Sequence, residues 1–467
     1  MPPVIQPAPA EVLIVTSSRR PILFVSSPES GLFNSLFTIA TELSRQGVPD
    51  LWFATDDKRR ADIEGINEDS PVRFASLGEV VPEFSSPTWD DATYRRVTQP
   101  SRWKAHRALV EHTFKPQLRV PKYRALDAVV DEVEPALMII DSVSFFGVEV
   151  AITRKIPFML SVPFLPSNLF MTSLRSNFPS AHSGLSLHMS FAQRMANRWF
   201  KIRKVAMFFK PSMLKTLGAF NQVRKDLGIA PEAAKMTART DLAEQVLCFS
   251  VTGLEYPFPF PDNMRLLGAI VPPLPEAPDD GGLSRWLDAR DSVVYMGFGT
   301  VTRLTADQVR SLVEVVRRLE GRHDVLWKLP KEQQQFLPPD GELPGNLRIE
   351  SWVPSQLDVL AHPNVKVFFT HGGGNGFHEG IYFGKPLVVR PLWIDCYDQA
   401  VRGADSGVSL TLDRPQTFDV DDVVDKLTRV LNEASFHERA RHFAQVQREA
   451  GGLNTAADLI LGSPALK

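Results

Sequence analysis

The run Val365–Thr370, followed at once by His371-Gly-Gly-Gly-Asn-Gly376, constrains this chain more than any other segment. The run reads as a buried strand, and the glycines turn it into a helix starting near Phe377. A glycine-rich strand-to-helix turn lets backbone N–H groups approach a pyrophosphate at the positive end of the helix. Residues around the turn suit the rest of a sugar nucleotide. Trp352 can stack on a base, which is worth ~1–3 kcal/mol. His371 and Asn375 are donors at the turn, and Glu379, one helical turn on, can accept from ribose hydroxyls. Asp395, after a second strand at Pro386–Arg390, can do the same for a sugar. Each residue alone has a plainer reading: Trp352 as a core aromatic, His371 as a satisfied histidine, Glu379 as a first-turn acid favoured by the helix dipole. Order and spacing favour the ligand reading.

Trp352, Pro354, His362, Phe369, Thr370, His371, Gly373, Asn375, Glu379, Gly384, Pro386, Pro391 and Asp395 follow one known pattern in order. On these residues the chain resembles the family 1 UDP-glycosyltransferases. The segments TGLEYPFPFPDNMRLLGAI and WLDARDSVVYMGFGT extend the resemblance over most of the chain, and the second places Thr300 where family members contact phosphate or sugar. The resemblance implies an α/β chain of the GT-B fold, with two Rossmann-like domains facing across a cleft. It implies a donor-binding set of Trp352, Val353, Gln356, Thr300, His371, Gly373, Asn375, Gly376, Glu379, Asp395 and Cys396. It further implies inverting transfer from a UDP-sugar co-substrate, glucose by default, without a metal or other cofactor. The expected acceptor is a hydroxyl of a hydrophobic phenol, polyketide or terpenoid, with a sterol or membrane lipid as a variant. Phe145, Phe146, Phe164, Leu165 and Phe170 suit an apolar acceptor pocket and are equally ordinary core residues.

Three positions depart from the family pattern. The histidine that takes the acceptor's proton aligns with Leu32, which cannot. Asp141 stands where the family's histidine-orienting aspartate does, and Glu29 lies in the Leu32 loop, so these two carboxylates are the candidate bases. General-base assistance is worth ~10²–10⁴-fold, so an acidic acceptor such as a phenol loses least without it. Ser355 is an extra residue before Gln356, which is expected to take over the usual glutamine contact. Cys396 replaces the glutamine that follows the sugar-binding aspartate, leaving Asp398 or Gln399 to substitute. A UDP-sugar-binding protein without catalysis is the competing reading that Leu32 prompts. A sugar-nucleotide epimerase rests on fold analogy alone.

At 467 residues two domains are expected. A net charge of −2 argues against nucleic acid as an electrostatic partner. Two distant cysteines, Cys248 and Cys396, fit a reducing compartment, and no stretch of ~20 apolar residues is present to span a bilayer. A cytoplasmic monomer without a transmembrane anchor is the expectation. Strand–helix alternation spans an acceptor domain at 1–270, opening on a loose arm of about 20 residues, with strands at Pro21–Val25, Leu51–Ala54, Ala136–Asp141 and Ile156–Val162. A proline- and glycine-rich linker follows at 271–282, then the donor domain at 283–440. The last helical stretch is Ser435–Leu461, and the resemblance implies that the tail, 441–467, packs back on the first domain as a C-terminal helix. Between Leu185 and Leu227 the pattern is helical and basic, with Met195, Trp199, Ile202, Ala206 and Phe209 on one face. The favoured reading is a helical insertion packed on its own domain, and a helix lying on a membrane surface is the alternative.

Overall fold

The computed structural model describes residues 21–66, 68–171, 174–274 and 282–467. The N-terminal arm and positions 275–281 of the expected linker lie outside the described residues.

Among the described residues, strands form two sheets in which every pairing is parallel. The first contains β1 (Ile22–Val25), β2 (Leu51–Thr55), β3 (Val72–Ser76), β4 (Leu137–Asp141), β5 (Phe158–Val162), β6 (Val246–Cys248) and β7 (Met264–Leu266), in the order β3-β2-β1-β4-β5-β6-β7. The second contains β8 (Val293–Gly297), β9 (Asp324–Lys328), β10 (Leu347–Glu350), β11 (Val365–Thr370), β12 (Leu387–Val389) and β13 (Ser409–Thr411), in the order β10-β9-β8-β11-β12-β13. Helices cover both faces of each sheet, which is why β1, β4, β8 and β11 are almost wholly apolar and buried. Strand β3 has no counterpart in the sequence reading; Arg73 on its exposed face interrupts the apolar run.

In each sheet the strand order reverses beside the first strand, and the crevice outside the strands' carboxyl ends is where such sheets bind ligands. The register of the second sheet lines up that edge. Lys328 pairs with Gly297, Gly297 with Thr370, and Thr370 with Val389, while Glu350 pairs with Lys328. Residues that follow these five therefore meet in one place although they span more than 90 positions of sequence.

The expected tail helix is two helices. Ala434–Glu449 packs on Gly374–Tyr382 of the second domain. The chain then turns at Gly451 and Gly452, whose φ of 87° and 48° suit residues without a Cβ. Helix Gly452–Leu461 buries Leu453, Ala456, Ala457 and Ile460 in the first domain's core, beside Phe24 and Leu36.

The basic insertion packs on its own domain, but not through the face that its apolar period marks. Helix Phe191–Phe208 opens with a capping box between Ser190 and Gln193, but its apolar face does not meet the domain. Met195, Trp199, Ile202 and Phe209 are exposed, as is Ala206. The inward face mixes Met207, which is buried, and Phe200 and Phe208, which pack on Trp103 and Phe114, with polar groups. Buried Asn197 bonds to the Phe178 carbonyl and the Ser180 N–H, and Lys201 and Lys204 donate to the carbonyls of Ser176, Phe178 and Ala181. Those carbonyls belong to an irregular loop that has no ladder to satisfy it, so the face carrying these donors is the one that gains by burial.

Candidate functional site

The site forms on the carboxyl edge of the second sheet. Trp352, two residues past β10, keeps 65% of its surface open, far more than the alternative of a core aromatic allows. Lys328, the last residue of β9, holds its ammonium 4.7 Å from the indole centroid. Val353 beside it turns its side chain into the apolar core, leaving its backbone at the edge. Ser355, the extra residue, is the N-cap of helix Gln356–Ala361 and accepts from the Asp358 N–H at 3.1 Å. The insertion thus supplies a cap that the helix needs, and it leaves Gln356 pointing at the site. Gln356 donates to Glu379 at 2.7 Å and accepts from the Tyr295 hydroxyl at 3.1 Å. Tyr295 is itself stacked on Phe368 at 5.0 Å. Burial pushes the Glu379 carboxyl up, opposed by the Gln356 hydrogen bond and the Lys328 charge.

The glycine turn carries the anion-binding features. Gly373 is the N-cap of helix Gly374–Tyr382 and offers no side chain to its first-turn amides, so those of Asn375 and Gly376 have no capping partner. The His371 ring lies between two glycines. A Cβ on Gly373 would come 2.5 Å from Nε2, and one on Gly299 would come 2.5 Å from Cε1. Gly299 also has φ of 72°, so both positions exclude a side chain. His371 Nδ1 is buried without a partner. Burial, aided by the nearby Arg390 and Lys328 charges, lowers the imidazole pKa to about 4, so the ring is neutral at physiological pH. Thr300, exposed at the end of the β8 loop, faces the same edge.

Arg390 follows β12. It is buried, donates through Nε to the Pro415 carbonyl at 2.7 Å, lies over Phe418, and leaves Nη1 without a partner. Asp395 stands in the first turn of helix Ile394–Asp405, and burial raises its pKa to about 6. Cys396 is buried beneath Gly372, with burial pushing its thiol up. Neither expected substitute for the missing glutamine is free. Asp398 accepts from the backbone N–H groups of His182 and Gly184 in the first domain, and Gln399 is buried against His378. Asp398 is thus held by interdomain packing and Gln399 by packing within the second domain.

The first domain closes on this edge. Asn375 donates to the Ser30 carbonyl at 3.3 Å, and Gly374 touches the Pro163 carbonyl so closely that a Cβ there would collide with it. Ser30 opens helix Ser30–Arg45, so Leu32 in its first turn lies near the glycine turn. Asp141 is fully buried and accepts four hydrogen bonds: from Ser27 N at 2.6 Å, Val143 N at 2.8 Å, Ser144 N at 2.9 Å and Ser144 Oγ at 2.7 Å. These fill the roughly four acceptor directions of a carboxylate, so Asp141 ties the β1 and β4 loops together. Glu29 accepts from Ser85 at 2.6 Å and pairs with Lys58 at 3.4 Å. The residues expected to line an acceptor pocket divide. Leu165 and Phe170 are core, Phe146 and Phe164 pack against that core, and Phe145 is exposed beneath Arg239.

Lys328, Tyr295, Arg390 and the close approach at Gly299 were not read from the sequence. A lysine ending an otherwise buried strand was the available signal for Lys328, because carboxyl ends of parallel strands line the crevice. Among the described residues, no group of three His, Cys, Asp or Glu is placed to hold a metal ion, and no helix is long and apolar enough to cross a membrane.

Comparison with known proteins bears on the family and the fold. A family model described as UDP-glucoronosyl and UDP-glucosyl transferase matches residues 87–450. The chain is 29% identical over 320 residues to UDP-glucuronosyltransferase 2C1 of Oryctolagus cuniculus, covering 66% of this chain and 60% of that protein. It is 28% identical over 276 residues to UDP-glucosyltransferase 2 of Dactylopius coccus, covering 58% and 50%. The chain thus spans about half to three-fifths of these relatives' lengths. Among solved structures, the glycotransferase of kitacinnamycin superposes with a TM-score of 0.68 at 20% identity, covering 94% of this chain and 98% of that one.

Proposed function

The chain belongs to the family of UDP-glucuronosyl and UDP-glucosyl transferases, and from that premise we propose that it transfers a hexose, glucose by default, from a UDP-sugar to a phenol-class hydroxyl with inversion and without a metal. The observation that carries this reading is the neutral, partnerless His371 set between Gly299 and Gly373 at an uncapped helix N-terminus. Charge grows on the departing UDP, so donors aimed there stabilise the transition state more than the ground state. Trp352 takes the uracil, Gln356 and Glu379 the ribose, and Asp395 the sugar hydroxyls. Thr300, Asn375 and the first-turn amides join His371 on the phosphates.

Neither candidate carboxylate takes the acceptor's proton in this reading. Asp141 has no acceptor direction left, Glu29 is engaged by Ser85 and Lys58, and Leu32 is apolar. An acceptor that ionises itself suits such a site. Phenols, with pKa ~10 by analogy with tyrosine, meet that need and aliphatic alcohols do not. Incubation with UDP-glucose, UDP-galactose and UDP-glucuronic acid against phenols of graded pKa and matched alcohols, read by product mass, tests it. Phenyl glucosides whose rate rises as the phenol becomes more acidic are expected. Equal rates with alcohols would require a base that this site does not display.

Two further results follow. Trp352→Ala should weaken UDP binding by ~1–3 kcal/mol, about 5- to 150-fold, and leave thermal stability unchanged because the ring is solvent-exposed; isothermal titration of UDP measures it. Asp395 accepts from sugar hydroxyls best as the carboxylate, and its pKa is about 6. The donor KM should therefore fall as pH rises from 5 to 7, and Asp395→Asn should flatten that profile.

A further inference from the structure

Helix Phe191–Phe208 is built to hold an apolar stripe away from the protein. Phe191, Met195, Trp199, Ile202, Val205 and Phe209 recur at helical spacing, with exposures from 37% at Met195 to 73% at Phe191. The stripe cannot roll inward, because Asn197, Lys201 and Lys204 on the opposite face bond the 176–181 loop. Exposed Arg194 edges the stripe on one side and exposed Arg203 on the other, and exposed Arg198 stands within it beside Val205.

The surrounding charge names the occupant. Residues 150–225 contain twelve Lys and Arg and no Asp or Glu, in a chain whose net charge is −2. Arg154 and Arg224 are paired with Asp127 and Glu149, and Lys201 and Lys204 face inward, which leaves Arg194, Arg198 and Arg203 at the stripe. A two-fold contact between copies would set arginine edges against each other, which opposes self-association through this face. Nucleic acid has no use for the six apolar side chains. An anionic bilayer answers both features, since apolar side chains enter the headgroup–acyl boundary while flanking cations meet the phosphates.

We propose that this helix docks the protein in the plane of an anionic lipid surface. Docking uses no residue of the donor site, so it stands or fails apart from the transferase reading. Vesicles of phosphatidylcholine alone, and of phosphatidylcholine mixed with phosphatidylglycerol, are sedimented with the full chain. Co-sedimentation with the mixed vesicles is expected, together with a blue shift of emission that Trp199→Phe removes. Arg194→Gln/Arg198→Gln/Arg203→Gln should weaken binding about 100-fold. Trp199→Ser/Ile202→Ser should weaken it about tenfold or more, and unchanged melting temperatures show that both variants fold. Protein left in the supernatant with mixed vesicles overturns the proposal. So does binding insensitive to both variants, or a vesicle-free dimer that Trp199→Ser/Ile202→Ser converts to monomer.

Discussion

Replacing His371 with alanine is expected to lower kcat by about 10²–10³-fold, the range for losing one preorganised donor at a developing anion. The ring earns this weight from its setting. Gly299 and Gly373 leave no freedom above or below it, and burial with the Arg390 and Lys328 charges holds its pKa at about 4. It therefore acts as a neutral donor whose orientation is fixed before UDP departs. Its charge does not change between pH 5 and 8, so the wild-type kcat should show no inflection from it there. Initial rates at saturating UDP-sugar measure both effects. A raised KM with unchanged kcat would instead mean that His371 holds ground and transition states equally.

Arg402→Ala is expected to destabilise the fold by ~3–5 kcal/mol, the usual result of stranding one member of a buried ion pair. Arg402 and Glu255 are almost wholly buried, with Nε 3.1 Å from Oε1 across the domain boundary. Arg402 also donates to Ser167 Oγ at 3.0 Å and lies over the Tyr256 ring at 4.2 Å. Glu255 accepts from the Ser167 and Tyr256 N–H groups at 2.9 and 2.7 Å. Removing the guanidinium leaves the carboxylate without a counter-charge and takes a brace from the interface. Denaturant midpoints measure the loss. The double variant Arg402→Met/Glu255→Met should lose less than the single alanine variant, because no charge is then stranded. An equal or greater loss would show that packing, not charge, dominates.

The donor site was legible in the sequence because its parts are close together and locally determined. A strand, three glycines and a helix start fix one another within a dozen residues, and β11 runs over the residues that its apolar pattern marked. Lys328 and Gly299 come to the site only through strand register, which periodicity does not report. The insertion helix shows a different limit. Its apolar period was visible, but period defines a face and not what that face meets. The side buried was decided by loop carbonyls around residues 176–181 that needed donors. Ser355 looked like a disturbance of the pattern and is a helix cap. Asp141 lies at its expected strand end, yet its hydrogen bonds come from Ser27 and Ser144, which no spacing connects to it.

UDP release from UDP-glucose should be measured for the wild-type protein and His371→Ala, each with and without an acidic phenol, with product mass determined alongside. Release that requires the phenol, yields one glucoside for each UDP, and falls about 10²–10³-fold in the variant is expected. Tight UDP binding without phenol-dependent release across the donor panel would contradict the transferase reading and leave a UDP-sugar-binding protein.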